Sequence, residues 1–160
     1  MIYAAQFGDL APCEEDVRHL FSSPEEDSNG FWWLNLDRPA EEDVRTVCEA
    51  FGIHPLTIED IITQETREKV ELFPTYYFAS IHSFSQAGEV NNIKYTPFNM
   101  YIVVFRHGTI SFSFRSNDHA SHVQSRMTKA EGEMPLSSDW ICYAMMWVSY
   151  CGLATFCFLV

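Results

Sequence analysis

The sequence predicts an α/β sandwich, a mixed and largely antiparallel sheet covered by helices, on three observations. An apolar burst at Trp32-Trp33-Leu34-Asn35-Leu36 is followed by two stretches with helical spacing. Aromatic and β-branched residues then alternate with period two through the middle of the chain. Two further helical stretches, each opened by a capping residue, close it. With 160 residues, 47% of them apolar, the chain is one domain able to bury a core rather than a disordered segment.

Residues 1–30 are acidic and interrupted by Pro12, Pro24 and Ser22-Ser23, which predicts a short helix and a loop in an N-terminal extension. Trp32 to Leu36 reads as a buried strand that stops at Asp37-Arg38-Pro39. The helix that follows puts Val44, Val47, Cys48 and Phe51 on one face. Glu41, Glu42 and Asp43 fill its first turn, where the helix dipole favours negative charge. Gly52 ends that helix and His54-Pro55 starts the next, His54 acting as its cap.

Val70 to Phe84 reads as one strand, bent or bulged at Pro74, with Tyr76, Phe78, Ser80, His82 and Phe84 on one side. Gln86 to Asn92 is a polar loop. Phe98–Phe105, the turn at His107-Gly108 and Thr109–Phe114 form a hairpin. Ser111, Ser113 and Arg115 alternate with Ile110, Phe112 and Phe114, which predicts one wet face on the last strand. Asn117 or Asp118 caps a helix to about Lys129 with His119, Val123 and Met127 on one stripe, and Ser137-Ser138-Asp139 opens another. Ile141 to Val160 carries no formal charge over 20 residues, so a buried helix and a membrane span both stand open.

The net charge of −12 is unevenly spread: residues 1–72 hold 17 acidic and 5 basic side chains, residues 73–160 five of each. Such a surface repels nucleic acid and anionic headgroups, and its natural partners are cations. The five cysteines form no C-x-x-C pair, and no secretory signal precedes them, so reduced thiols facing the cytosol are expected. Asp118, His119 and His122 share one helical turn but read as a capped helix with surface histidines rather than a zinc site. No nucleophile elbow or nucleotide-binding glycine loop is present, which argues against an enzyme.

The adjacent carboxylates Glu59 and Asp60 are the candidate metal-binding residues. On helix geometry they diverge by about 100° and cannot chelate one bare ion together, although they can touch two ions or one hydrated ion. Taken alone they read as N-terminal acids answering the helix dipole. The surrounding string, Phe51-Gly52-Ile53-His54-Pro55-Leu56, two residues, then Glu59-Asp60, followed by Arg67, Lys69, Val70 and Glu71, closely resembles the CorA-type magnesium transporters. Trp32-Trp33-Leu34, Pro39 and Ser137 to Tyr143 resemble their fungal, aluminium-resistance-type branch in particular, and the resemblance runs from about Trp32 to Ala144.

That resemblance implies a cytoplasmic regulatory domain over residues 31–144. In the family, five subunits form a funnel and acids at the positions of Glu59 and Asp60 help bind regulatory Mg2+ between neighbours; Co2+, Mn2+ and Ni2+ remain open. It implies a homo-oligomer, a pentamer, attached to the cytoplasmic face of the plasma or vacuolar membrane. Residues 145–160 depart from the pattern. Met145-Met146-Trp147 stands where the family carries an acid-rich helix, and Trp147 cannot supply a ligand to the interfacial site. The stalk, the membrane helices and the Gly-Met-Asn pore motif are not in the sequence, so this chain alone is not expected to conduct ions. The alternative is a non-conducting interaction module that assembles with, or inhibits, full-length relatives.

Overall fold

The computed structural model describes residues 3–7, 32–87, 94–130 and 136–157. Six strands form a single sheet: β1 (Tyr3–Phe7), β2 (Trp32–Asp37), β3 (Lys69–Leu72), β4 (Tyr76–Ala87), β5 (Lys94–Phe105) and β6 (Gly108–Ser113). Their spatial order is β1-β2-β6-β5-β4-β3, with β1–β2 and β2–β6 parallel and the other pairings antiparallel. The expected mixed, largely antiparallel sheet is therefore present. Helices α1 (Glu41–Ala50) and α2 (Pro55–Ile62) cover one face, and α3 (His119–Ala130) and α4 (Ser138–Cys157) the other.

Strand alternation divides the core into two layers. Leu34 and Leu36 of β2, Phe78 of β4, Tyr101 and Val103 of β5 and Ile110 and Phe112 of β6 pack against Val44, Val47, Cys48, Ile58 and Ile61. Their neighbours in sequence point the other way: Trp33, Ala79, Met100, Ile102 and Val104 meet Val123, Met127, Ile141 and Met145. At one end of the sheet, Gly108 lies opposite Trp32 in the β2–β6 register, and a side chain at 108 would fall inside the Trp32 indole. Only glycine allows that approach.

Both helices of the first layer end in the same way. After α1, Gly52 takes φ +65°, Ile53 N donates to Cys48 O at 2.9 Å and Gly52 N to Glu49 O at 3.1 Å. After α2, Gln64 takes φ +53°, Glu65 N donates to Asp60 O at 2.9 Å and Gln64 N to Ile61 O at 3.2 Å. This is the Schellman arrangement, which satisfies the last carbonyls of a helix through one left-handed residue.

Four expectations are corrected. Tyr3–Phe7 is a strand beside β2 rather than part of a helix, because a parallel ladder with Trp32–Leu36 takes up its backbone groups; residues 8–31 lie outside the described residues. Val70 to Phe84 is not one bent strand. Phe73 N donates to Tyr76 O at 2.9 Å across Pro74-Thr75, and this tight turn reverses the chain so that β3 pairs back on β4, Leu72 opposite Tyr77. The β6 serine face is not wet, since all six residues are buried: α4 lies over it, and Thr109 Oγ1 donates to Ser138 O at 3.0 Å. Finally, His119 is not a surface residue but is buried against Phe98.

The uncharged tail begins inside α4, which continues through Met145 without a break and buries Ile141, Cys142, Ala144, Met145 and Val148 on the sheet. No helix among the described residues is long and apolar enough to cross a membrane.

Candidate functional site

Helix α2 is fixed at both ends before its acids are placed. At its start, His54 Nδ1 accepts from Leu56 N at 3.2 Å and Pro55 occupies the first turn, so His54 is the cap its sequence suggests. Tyr76 Oη accepts from His54 N at 2.9 Å and shares a hydrogen bond with Thr57 Oγ1 at 3.2 Å, tying this end to β4. Thr57, Ile58 and Ile61 turn inward. With that face fixed, Glu59 projects into solvent and Asp60 stands at the boundary.

The two acids sit in the last turn of an eight-residue helix, whose first turn holds no acid. They therefore do not answer the dipole, as their sequence taken alone suggests. A helix C-terminus carries partial negative charge and disfavours carboxylates. Asp60 is compensated: Lys69 Nζ lies 2.7 Å from its Oδ2, with side chains 20% and 14% exposed. The same ammonium lies 2.9 Å from Glu71 Oε1 and 5.8 Å from the centre of the Phe78 ring. Burial opposes the charge on Lys69, but its hydrogen bonds to Asp60 and Glu71 outweigh that, and its pKa is raised. Glu59 has no cationic partner among the described residues.

Glu59, Asp60, Lys69 and Glu71 line one groove of about 640 Å3 together with Leu56, Leu72 and Phe73. Leu56 is 62% exposed and Leu72 84%, and β3 is an edge strand of the sheet. The groove is thus an acidic strip with apolar borders at the sheet edge. Lys69 and Glu71 were not singled out by their own pattern. The legible signal is their i, i+2 spacing on a strand, which puts opposite charges on the face beneath α2.

Among the described residues no group of three or more histidine, cysteine, aspartate or glutamate side chains is arranged to hold a metal ion. The described residues of one copy therefore form no closed ligand shell. The Asp118 cluster is a local fold device. His119 Nε2 meets Ser83 Oγ at 2.6 Å, Asp118 Oδ1 lies 3.7 Å from His119 Nδ1 and 3.6 Å from His122 Nδ1, and Asn117 Oδ1 accepts from His119 N at 3.0 Å. Burial pushes the Cys48 thiol up to about 12 and the Cys142 thiol upward too, which leaves both as inert packing groups. Trp147 stacks beneath the Arg126 guanidinium at 3.7 Å, on an exposed face shared with Tyr143 and Tyr150.

The family model described as CorA-like Mg2+ transporter protein matches residues 28–150, and so includes the whole groove. The chain is 45% identical over 115 residues to magnesium transporter ALR2 of Saccharomyces cerevisiae, covering 72% of this chain and 13% of that protein. It is 44% identical over 115 residues to magnesium transporter ALR1 of the same yeast, with the same coverage. The chain thus matches only a small part of the length of these curated relatives. Among solved structures, the ZntB cytoplasmic domain from Vibrio parahaemolyticus superposes with a TM-score of 0.60 at 12% identity, covering 78% of this chain and 49% of that one. At that identity the likeness is one of fold.

Proposed function

The chain belongs to the CorA-like Mg2+ transporter family, and we propose that it is the cytoplasmic regulatory domain of such a transporter, sensing hydrated Mg2+ at Glu59 and Asp60 where copies of the domain meet. The observation that carries this reading is the placement of Glu59. It is an exposed carboxylate at the C-terminal end of a helix, beside a second acid, with no cation of its own among the described residues. A hydrated divalent ion supplies the missing positive charge, and oxygen donors suit Mg2+, with Co2+, Mn2+ and Ni2+ as competitors.

Regulation then follows from like-charge repulsion. A cation between facing acidic edges neutralises them and holds neighbouring domains together, and its loss leaves carboxylates that push the domains apart. Work done on the domain in this way would reach a pore only through segments beyond the matched part, at the cytoplasmic face of a membrane. The homo-oligomer, a pentamer in this reading, follows from the family resemblance. The test is titration calorimetry of Mg2+ into the oligomeric chain. Wild type is expected to release or absorb heat that a Glu59→Ala/Asp60→Ala double variant does not, and equal heats from both would refute the reading.

A second reading, an interaction module that joins or inhibits full-length relatives, is favoured by a separate observation: Leu56, Val70 and Leu72 leave apolar surface uncovered around the edge strand β3. Co-expression with a full-length relative discriminates, since failure to co-purify removes this idea and leaves cation binding untouched.

A further inference from the structure

The sheet separates two unlike surfaces. On one side, α1 carries four acids against the single Arg45, and α2 adds Glu59 and Asp60. On the other, α3 holds Arg126 and Lys129 with no acid in its sequence, and α4 holds Asp139 as its sole charged residue over 20 positions. That one acid is tied to β4, where Tyr77 Oη donates to it at 2.9 Å. The outward ridge of α4 is aromatic. Tyr143, Trp147 and Tyr150 follow one another at i, i+4 and i+7 and so share one helix face. They stay 51%, 42% and 62% exposed, while Ile141, Met145 and Val148 are buried on the sheet. Arg126 of α3 reaches across, its guanidinium carbon 3.7 Å from the centre of the Trp147 ring, which fixes a positive charge beside the ridge. Tyrosine and tryptophan join a flat apolar body to one polar tip, and an arginine stem lies on apolar surface while its head stays wet. Together these are the side chains suited to the boundary between lipid headgroups and acyl chains.

We propose that this face of α3 and α4 docks flat on the surface of a zwitterionic lipid bilayer, with the rings of Tyr143, Trp147 and Tyr150 at headgroup depth and Arg126 against lipid phosphate. The inward half of α4 is committed to the sheet, so the helix lies along the surface and does not cross the hydrocarbon. Charge selects the lipid. The acids of α1 and α2 sit across the sheet from the docking face, yet a net charge of −12 still repels an anionic membrane. A zwitterionic one carries no such field and offers phosphates to Arg126 and quaternary ammonium groups to the tyrosine faces. The docking face uses no residue of the groove between α2 and β3, so it goes beyond cation sensing and stands or falls separately from it.

The experiment is co-flotation of the 160-residue chain with phosphatidylcholine vesicles. Wild type is expected to float with them, and Tyr143→Ser/Trp147→Ser/Tyr150→Ser to partition at least about tenfold less, because surface binding scales with the apolar area it buries. Leu56→Ser/Leu72→Ser removes exposed apolar surface at the edge strand β3 instead and is expected within about twofold of wild type. Vesicles in which phosphatidylserine replaces part of the phosphatidylcholine are expected to hold less protein. A wild type that does not float overturns the proposal, as do equal partitioning of wild type and the triple variant, an equal loss in the edge variant, and tighter binding to the phosphatidylserine vesicles. Self-association that the triple variant abolishes, without flotation, assigns the face to a second copy and overturns it too. A conservative variant keeps the test open where the triple variant does not fold. Phosphatidylcholine brominated high in its acyl chains is expected to quench tryptophan emission more in wild type than in Trp147→Phe, and equal quenching overturns the docking face.

Discussion

Trp33 Nε1 donates to Ser111 Oγ at 2.9 Å, and the same hydroxyl donates to Asn35 Oδ1 at 2.7 Å, so one buried serine satisfies two side chains of the neighbouring parallel strand. All three residues lie beneath α4 in the layer that includes Met145. Replacing Ser111 with alanine leaves an indole N–H unpaired in a dry setting and takes a donor from Asn35. The expected loss is about 1–3 kcal/mol of stability, the usual cost of orphaning a buried polar group. Urea denaturation followed by tryptophan fluorescence measures it, with the exposed Ser121→Ala as a control expected within about 0.5 kcal/mol of wild type. A Ser111→Ala midpoint equal to the control's would show that the bridge carries no net stability.

Gln64 holds a left-handed backbone, φ +53°, that closes the end of the helix bearing Glu59 and Asp60. A side chain in that region strains the backbone, and glycine does not. Gln64→Gly is therefore expected to stabilise the domain by up to about 1 kcal/mol, a gain partly offset by the greater freedom of glycine in the unfolded chain. The converse change at the equivalent position, Gly52→Ala, introduces the same strain at φ +65° and is expected to cost about 1 kcal/mol. Thermal unfolding of the two variants should move in opposite directions, and movement in the same direction would rule out this account of the two helix ends.

His119 confers a pH dependence whose sign follows from its surroundings. Burial pushes its imidazole below the ordinary 6.5; the Asp118 carboxylate pulls upward, and His122 adds to the downward shift. Ser83 and Phe98 are its contacts on the sheet, and neither carries charge. Its Nδ1 is buried without a hydrogen-bond partner. The folded state thus prefers the neutral ring. The stability it contributes is complete above the unfolded value of 6.5 and is lost as pH falls through the depressed folded value. Denaturation midpoints measured from pH 7.5 down to 5.5, in about half-unit steps, should fall more steeply for wild type than for His119→Gln. Parallel slopes would place the titration elsewhere.

The elements most legible in the sequence were those written in side-chain periodicity and in glycine. The Val44, Val47, Cys48 face, the His54-Pro55 start, the Gly52 stop and the β5–β6 hairpin all follow from local chemistry. What escaped depends on partners distant in the chain. The serines of β6 alternate like an exposed face, yet α4 covers them, and no local pattern announces a helix that arrives from residue 138. Gln64 does the work of a glycine without being one, so the second helix end is silent in the sequence. At the candidate site the two acids were legible, whereas their inequality was not: it depends on Lys69, nine positions downstream of Asp60, being carried back beside α2 by the chain reversal that starts at Gln64.

The sheet order has a temporal consequence. Strand β2 finds its parallel neighbour β6 at a sequence separation of 76 residues, as the Asn35–Ser111 pair shows, and β6 lies between β2 and the antiparallel strands. A growing polypeptide leaving the ribosome carries Trp33, Leu34 and Leu36 through about half of the chain's synthesis before their neighbouring strand β6 has been made. Such long-range closure is slow and keeps sticky surface open to other chains. The early half of this protein is thus a natural client for whatever guards nascent chains, until β6 and α4 emerge and complete the sheet.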